Sequence, residues 1–221
     1  GFEHATLQDN GWQYLPDGWE GYPNQNSQTV AFSGDDVFGS TFEAFEDSAS
    51  VKLWGLYDGE NTENNIFQTW YEGAIPPGTH FSASAAVMSH SSDWIGQGGN
   101  SFVLFAKYFD GVEDDDGNFS WNWMGMNTSE VFDGEWPADE WYWLGVDCVV
   151  PEGANTVQIG AMLVQPTGDD HGAVFMDEFE MHVPMTTTGL FVSYGALAEE
   201  ALENGVSNLT WTWDVWSSDG F

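Results

Sequence analysis

The chain has 221 residues, 42% of them hydrophobic, and it carries 36 acidic residues against two basic ones, for a formal net charge of -34. This length and apolar content suffice for a folded core, so the sequence predicts a globular protein. The two bases, Lys52 and Lys107, are too few to neutralise a row of phosphates. Ordinary nucleic-acid binding is therefore excluded, and docking on an anionic membrane is disfavoured.

So many carboxylates repel each other unless salt screens them or divalent cations bind among them, which predicts a salty or calcium-rich exterior. Cys148 is the only cysteine, so no intrachain disulfide forms, and its apolar neighbours "VDCVVP" predict a buried, inert thiol. No stretch approaches the about 18 apolar residues of a membrane span. We expect a secreted extracellular or cell-surface protein whose signal peptide has been removed, without membrane insertion.

Eight segments rich in β-branched and aromatic residues follow each other along the chain, separated by turn residues. Such segments predict strands. Their number and spacing favour an all-β, jelly-roll β-sandwich of two antiparallel sheets. In chain order the predicted strands are "SVKLWGLY" (50–57), "NIFQTWYEG" (65–73), "HFSASAAVM" (80–88), "SFVLFAKYF" (101–109), "FSWNWMGM" (119–126), "EWYWLGVDCVV" (140–150), "TVQIGAMLV" (156–164) and "GAVFMDEFEMHV" (172–183).

Residues 184–221 are predicted to be a C-terminal extension of a domain that spans 1–183. In the extension, "GALAEEALENG" predicts one short helix that ends at Asn204-Gly205. A terminal strand, "LTWTWDVW", follows, and one of its faces carries Leu209, Trp211, Trp213 and Val215. These side chains have to cover an apolar surface, either on the same sandwich as an added edge strand or on a neighbouring copy by strand donation.

Seven motifs follow each other along the chain in a recognisable order and spacing: "GFEH", "DGWEGY", "SASVKLWG", "NIFQTW", "PPGTHFSASAAV", "WLGVDCVVPEGANTVQIGAML" and "GAVFMDEFEM". Together they resemble the calcium-containing jelly-roll carbohydrate-binding modules, a family of galactose-binding-like β-sandwiches. The resemblance covers about residues 1–183 and implies a non-catalytic extracellular sandwich with a structural calcium ion and a sugar-binding site.

The resemblance implies a Ca²⁺ site at which an early acid meets a late aspartate. Carried over to this chain, Glu3 and Asp177 are the carboxylate ligands, and backbone carbonyls near Glu46, Asp47 and Ser48 complete the shell. Calcium takes six to eight oxygen ligands and accepts mixed carboxylate and carbonyl sets. Two surface acids among many are the alternative interpretation of Glu3 and Asp177.

The chain has 13 tryptophans, whose flat rings can serve as binding platforms for sugars. Trp94, Trp121, Trp123 and Trp136 lie in or beside predicted loops, where an indole ring can stack on the face of a sugar. Tryptophan also packs in cores and anchors interfaces, so packing remains the competing explanation for each of them.

Enzyme signatures are missing. The histidines show no HExxH spacing, there is no GxSxG motif, and a pair of carboxylates carries no weight in so acidic a chain. We therefore expect no enzymatic activity.

The leading hypothesis is an extracellular structural subunit that self-assembles into a homo-oligomer or polymer, as a fibre or surface layer, with Ca²⁺ and strand donation holding it together. The alternative is a glycan-binding module that holds polysaccharide through exposed tryptophans.

Overall fold

A computed structural model describes residues 2, 5–7, 14–22, 27–30, 36–37, 40–41, 44–46, 49–55, 62–113 and 119–183. These residues lie in a compact unit that runs from Gly1 to Pro184. Their strands are β1 (Ala5–Leu7), β2 (Tyr14–Pro16), β3 (Glu20–Tyr22), β4 (Ser27–Val30), β5 (Asp36–Val37), β6 (Ser40–Thr41), β7 (Ser50–Trp54), β8 (Thr62–Trp70), β9 (His80–Met88), β10 (Ser101–Glu113), β11 (Phe119–Thr128), β12 (Tyr142–Val149), β13 (Thr156–Gln165) and β14 (Ala173–His182).

Two five-stranded antiparallel sheets make up the body of this unit. The first sheet has the order β11-β10-β13-β8-β3, and the second has the order β12-β9-β14-β7-β4. Apart from the hairpin β10–β11, neighbouring strands in these sheets are not consecutive in the chain, as in a jelly roll. The predicted fold class, an all-β jelly-roll β-sandwich of two antiparallel sheets, is confirmed for the described residues. The extension 184–221, with its predicted helix and terminal strand, lies outside them.

The core between the sheets follows from the two-residue alternation of the strands. In β12, Leu144, Val146 and Cys148 are buried, while the intervening residues are exposed. In β10 of the first sheet, Leu104, Ala106 and Tyr108 belong to the same buried cluster. Because one face of each strand supplies this cluster, the opposite face of each sheet points away from the main core.

All eight predicted strands are present, and β9 has the predicted bounds. The six short strands β1 to β6 were not predicted, because segments of two to four residues show too little alternation to be recognised. β3 and β4 nevertheless form the outer edges of the two sheets, where they pair with β8 and β7.

The outer face of the second sheet is partly covered by residues 44–46 and by the 3-10 helix Ser91–Asp93. Beneath them, Lys52 is fully buried and its Nζ lies 3.3 Å from Oδ2 of Asp93. The predicted burial of Cys148 is confirmed, and burial raises the pKa of its thiol to about 11. Among the described residues, no helix has the length and apolar character to cross a membrane.

Candidate functional site: an aromatic patch and a buried aspartate

Two of the predicted platform residues, Trp121 and Trp123, lie together on the outer face of the first sheet. They are two residues apart in β11, so both side chains leave the same face of the strand. Trp121 pairs with Gly111 of β10, and Trp123 pairs with Phe109. Their exposed fractions are 40% for Trp121 and 56% for Trp123. An indole with half its surface in water is available to a ligand.

Phe109 holds both indoles in place. Its ring centroid lies 5.3 Å from that of Trp121 and 5.6 Å from that of Trp123, with interplanar angles of 85° and 73°. Tyr71, 45% exposed, follows β8 and places its ring 5.9 Å from Trp121. The Tyr71–Trp121 pair is tilted, at 58°, whereas the two contacts of Phe109 are edge-to-face and fix the orientations of the indoles without burying their faces. We call Tyr71, Phe109, Trp121 and Trp123 the aromatic patch.

Polar side chains share the outer face with the aromatic patch. Gln158 of β13 stands beside it and is partly exposed. Farther across the sheet, Thr69 Oγ1 of β8 donates a hydrogen bond of 2.7 Å to Glu20 Oε1 of β3. These groups can donate to or accept from hydroxyl groups of a ligand that lies across the strands.

The other two predicted platforms, Trp94 and Trp136, lie beside each other elsewhere in the fold. The indole N–H of Trp94 donates to the carbonyl of Trp136 at 3.3 Å, and that of Trp136 donates to the carbonyl of Val131 at 3.1 Å. Both rings pack against the main core, and Trp136 lies edge-on to Tyr142 at 4.9 Å. Their contacts within the protein account for these two residues, so the aromatic patch does not include them.

Sequence reasoning missed Phe109 and Tyr71. The signal for Phe109 is the β10–β11 hairpin, since counting back from its acidic loop places Phe109 opposite Trp123. Tyr71 carries no comparable signal, because β13 and β10 separate it from β11 in the sheet. Its proximity to Trp121 depends on the register of three strand pairs.

The predicted metal ligand Asp177 lies fully buried on the outer side of β14. Its Oδ2 accepts hydrogen bonds from the backbone N–H groups of Phe45 (3.0 Å) and Glu46 (3.2 Å), and its Oδ1 accepts from Glu178 N–H at 2.8 Å. Burial raises the pKa of Asp177, although these three donors oppose the shift.

A calcium ion fits this carboxylate in part. Each carboxylate oxygen has capacity beyond the N–H bonds shown, and a buried anion gains from a cation beside it. Asp177 does meet the segment at Glu46, but the contact shown is through N–H groups rather than carbonyls. The other predicted ligands, Glu3, Asp47 and Ser48, lie outside the described residues. Within the described ranges, no group of three His, Cys, Asp or Glu side chains is placed to hold a metal. The calcium site stays a prediction.

The predicted assembly residues Leu209, Trp211, Trp213 and Val215 all lie outside the described residues. Strand donation and polymer formation therefore stay predictions.

No protein-family model matches the sequence, and no curated protein matches it. Among solved structures, the fold is similar to the C-terminal family 22 carbohydrate-binding module of Clostridium thermocellum Xyn10B, with a TM-score of 0.44, 15% identity and coverage of 86% of this chain and 97% of that one. It is also similar to TmCBM61 in complex with β-1,4-galactotriose, with a TM-score of 0.45, 12% identity and coverage of 76% and 90%. A third is the CBM22-1 xylan-binding domain of Paenibacillus barcinonensis Xyn10C, with a TM-score of 0.45, 13% identity and coverage of 82% and 90%. At these scores the likeness carries no argument about the ligand of this chain.

Proposed function

We propose that this protein is a non-catalytic glycan-binding module that holds polysaccharide on the aromatic patch. The observation that carries the proposal is the pair of exposed indoles, Trp121 and Trp123, both held edge-on by Phe109. Large exposed rings lose little conformational freedom on binding when their orientation is already fixed. A sugar ring presents apolar C–H faces to such rings and hydroxyl groups to polar neighbours.

The polar surroundings support the same ligand class. Gln158 offers an amide, and the Thr69–Glu20 pair offers a hydroxyl and a carboxylate. The chain carries a net charge of -34, which disfavours anionic partners in general. An uncharged polysaccharide can stack on the rings and hydrogen-bond to the polar groups, and the negative charge of the protein does not repel it. The protein is proposed to act outside the cell, where polysaccharides are accessible.

The test is affinity electrophoresis of the full chain through gels that contain soluble polysaccharides. Xylan and a β-1,4-galactan are the first two to try, because both are soluble, largely uncharged polysaccharides with different sugar units. Trp123→Ala is expected to lower affinity about five- to thirtyfold, because stacking on one ring contributes on the order of 1 to 2 kcal/mol. Its melting temperature should change little, since Trp123 is the most exposed ring of the patch.

Trp143→Ala is the matched control. Trp143 is 53% exposed, but it lies in β12 of the second sheet, away from the aromatic patch. Retardation by a polysaccharide that survives in Trp143→Ala and disappears in Trp123→Ala supports the proposal. Equal loss in both variants, or full retention in Trp123→Ala, would mean that the aromatic patch is not the binding surface.

A further inference from the structure

Lys107 of β10 and Asn65 of β8 meet on the outer face of the first sheet. Nζ of Lys107 donates a hydrogen bond of 2.9 Å to Oδ1 of Asn65. Asn65 is 3% exposed, and its Nδ2 donates to the carbonyl of Tyr22 at 3.3 Å, which holds the amide plane in one orientation. The Lys107 ammonium also lies 4.4 Å from the ring centroid of Phe105. An amine nitrogen is thus held against the carbonyl of a buried carboxamide.

The choice of partner is unusual for this chain. It has 36 carboxylates and two lysines, and Lys52 pairs with a carboxylate, that of Asp93. The hydrogen-bond partner of Lys107 is an uncharged amide. A hydrogen bond from an ammonium group to a carboxylate is stronger than one to an uncharged amide, and this chain has many carboxylates. The position of Lys107, with its Nζ against the side-chain amide of Asn65, instead suits an amine that reacts with that amide.

The surroundings of Lys107 shift its amine towards the uncharged, nucleophilic form. Phe67, Val103, Phe105 and Met162 form a buried apolar cluster on this face of the sheet. Burial lowers the pKa of Lys107, and the negative charge of Glu63 opposes this shift. Lysines in such surroundings become nucleophiles. Glu63 precedes Asn65 by two residues in β8, so both side chains leave the same face of the strand.

We propose that Lys107 and Asn65 join in an intramolecular isopeptide bond. The unprotonated Nζ attacks Cγ of Asn65, and the bond from Cγ to Nδ2 breaks. A proton from Nζ passes through the Glu63 carboxylate to the departing nitrogen, which leaves as ammonia. One amide replaces another, so no oxidant, reductant or further reactant takes part.

The bond links two strands that are separated in the sheet by β13. It closes a covalent loop between residues 42 positions apart in the chain. Such a closure restricts the unfolded chain as a disulfide does. The protein has a single, buried cysteine and so has no disulfide to serve this purpose.

The intact mass of the folded full chain, measured under denaturing conditions, tests the bond. The expected mass is that of the sequence less one ammonia. Digestion at glutamate should release a branched peptide in which Lys107 and Asn65 are joined. Mass spectrometry identifies this peptide in the wild-type protein, so no variant has to fold for the test. An intact mass equal to that of the sequence would overturn the proposal. So would a loss of ammonia mapped to another residue, such as Asn10 or Asn204, each of which precedes a glycine.

Variants identify the reacting groups. Lys107→Arg keeps a cation beside Asn65 and should show the full mass. Lys52→Arg, at the other lysine, should keep the loss of ammonia. Asn65→Asp should lose water instead of ammonia, because the leaving group changes with the carboxyl. Loss of ammonia that persists in Lys107→Arg contradicts the proposal.

Discussion

Asp177 is a buried carboxylate whose described donors are the backbone N–H groups of Phe45, Glu46 and Glu178. This arrangement gives Asp177 a structural role with or without a metal. Replacing it with alanine should therefore destabilise the protein in chelator as well as in calcium. Only the increment that calcium adds reports on metal binding.

We expect calcium to raise the stability of the wild-type chain and not that of Asp177→Asn. The asparagine keeps the size of the side chain and one acceptor oxygen but removes the charge that a cation needs. At a calcium concentration 100-fold above Kd, the wild type should gain about 2.7 kcal/mol. Urea unfolding of both proteins, in calcium and in chelator, gives the two increments. Equal increments would remove Asp177 from the ligand set.

Cys148 reports on the rigidity of the core between the sheets. Burial raises its pKa from 9.0 to about 11, so the folded state favours the protonated thiol. The stabilisation that this shift gives the folded state is therefore fully present below pH 9.0 and is lost as the pH rises towards about 11. We expect a thiol reagent to label the native protein at neutral pH far more slowly than the urea-unfolded chain. Equal rates would contradict the burial of Cys148.

At the scale of elements, a bulge in β14 lies directly beside Asp177, the predicted metal ligand. The pairing of β14 with β9 shifts between Asp177 and Glu180, and Glu178 adopts a φ of 48°. A bulge of this kind turns a side chain out of the regular pleat. Here it lets the backbone N–H of Glu178 reach Asp177 Oδ1.

Replacing Glu178 with glycine should stabilise the fold by about 1 kcal/mol, because glycine adopts a positive φ without the clash of a Cβ. The matched control, Glu178→Gln, keeps the Cβ and removes only the negative charge beside Asp177. Thermal unfolding of the three proteins separates the two effects. If Gln stabilises as much as Gly, charge rather than backbone strain is responsible.

At the scale of the whole molecule, the charge of -34 connects stability with association. Self-repulsion opposes both compact folding and contact between copies, and salt or calcium relieves it. The self-assembly hypothesis predicts that light scattering by the full chain increases in millimolar calcium. Deleting residues 206–221, which include Leu209, Trp211, Trp213 and Val215, should leave folded monomers. Polymers that persist after this deletion would refute donation of the terminal strand.

Local sequence determined much of this fold in advance. The eight predicted strands follow from segments rich in β-branched and aromatic residues between turn residues, and the burial of Cys148 follows from its apolar neighbours. The shared face of Trp121 and Trp123 follows from the two-residue period of a strand. Such patterns need only neighbours in sequence, because each strand has to present one apolar face to a core.

The tertiary structure decided which distant residues meet. Tyr71 reaches Trp121, and Lys107 reaches Asn65, only through the order and register of β11, β10, β13 and β8. It also separated Trp94 and Trp136 from the exposed tryptophans by engaging their indole N–H groups. Register across a sheet is a collective outcome of packing between strands far apart in the chain, so no single segment of sequence encodes it.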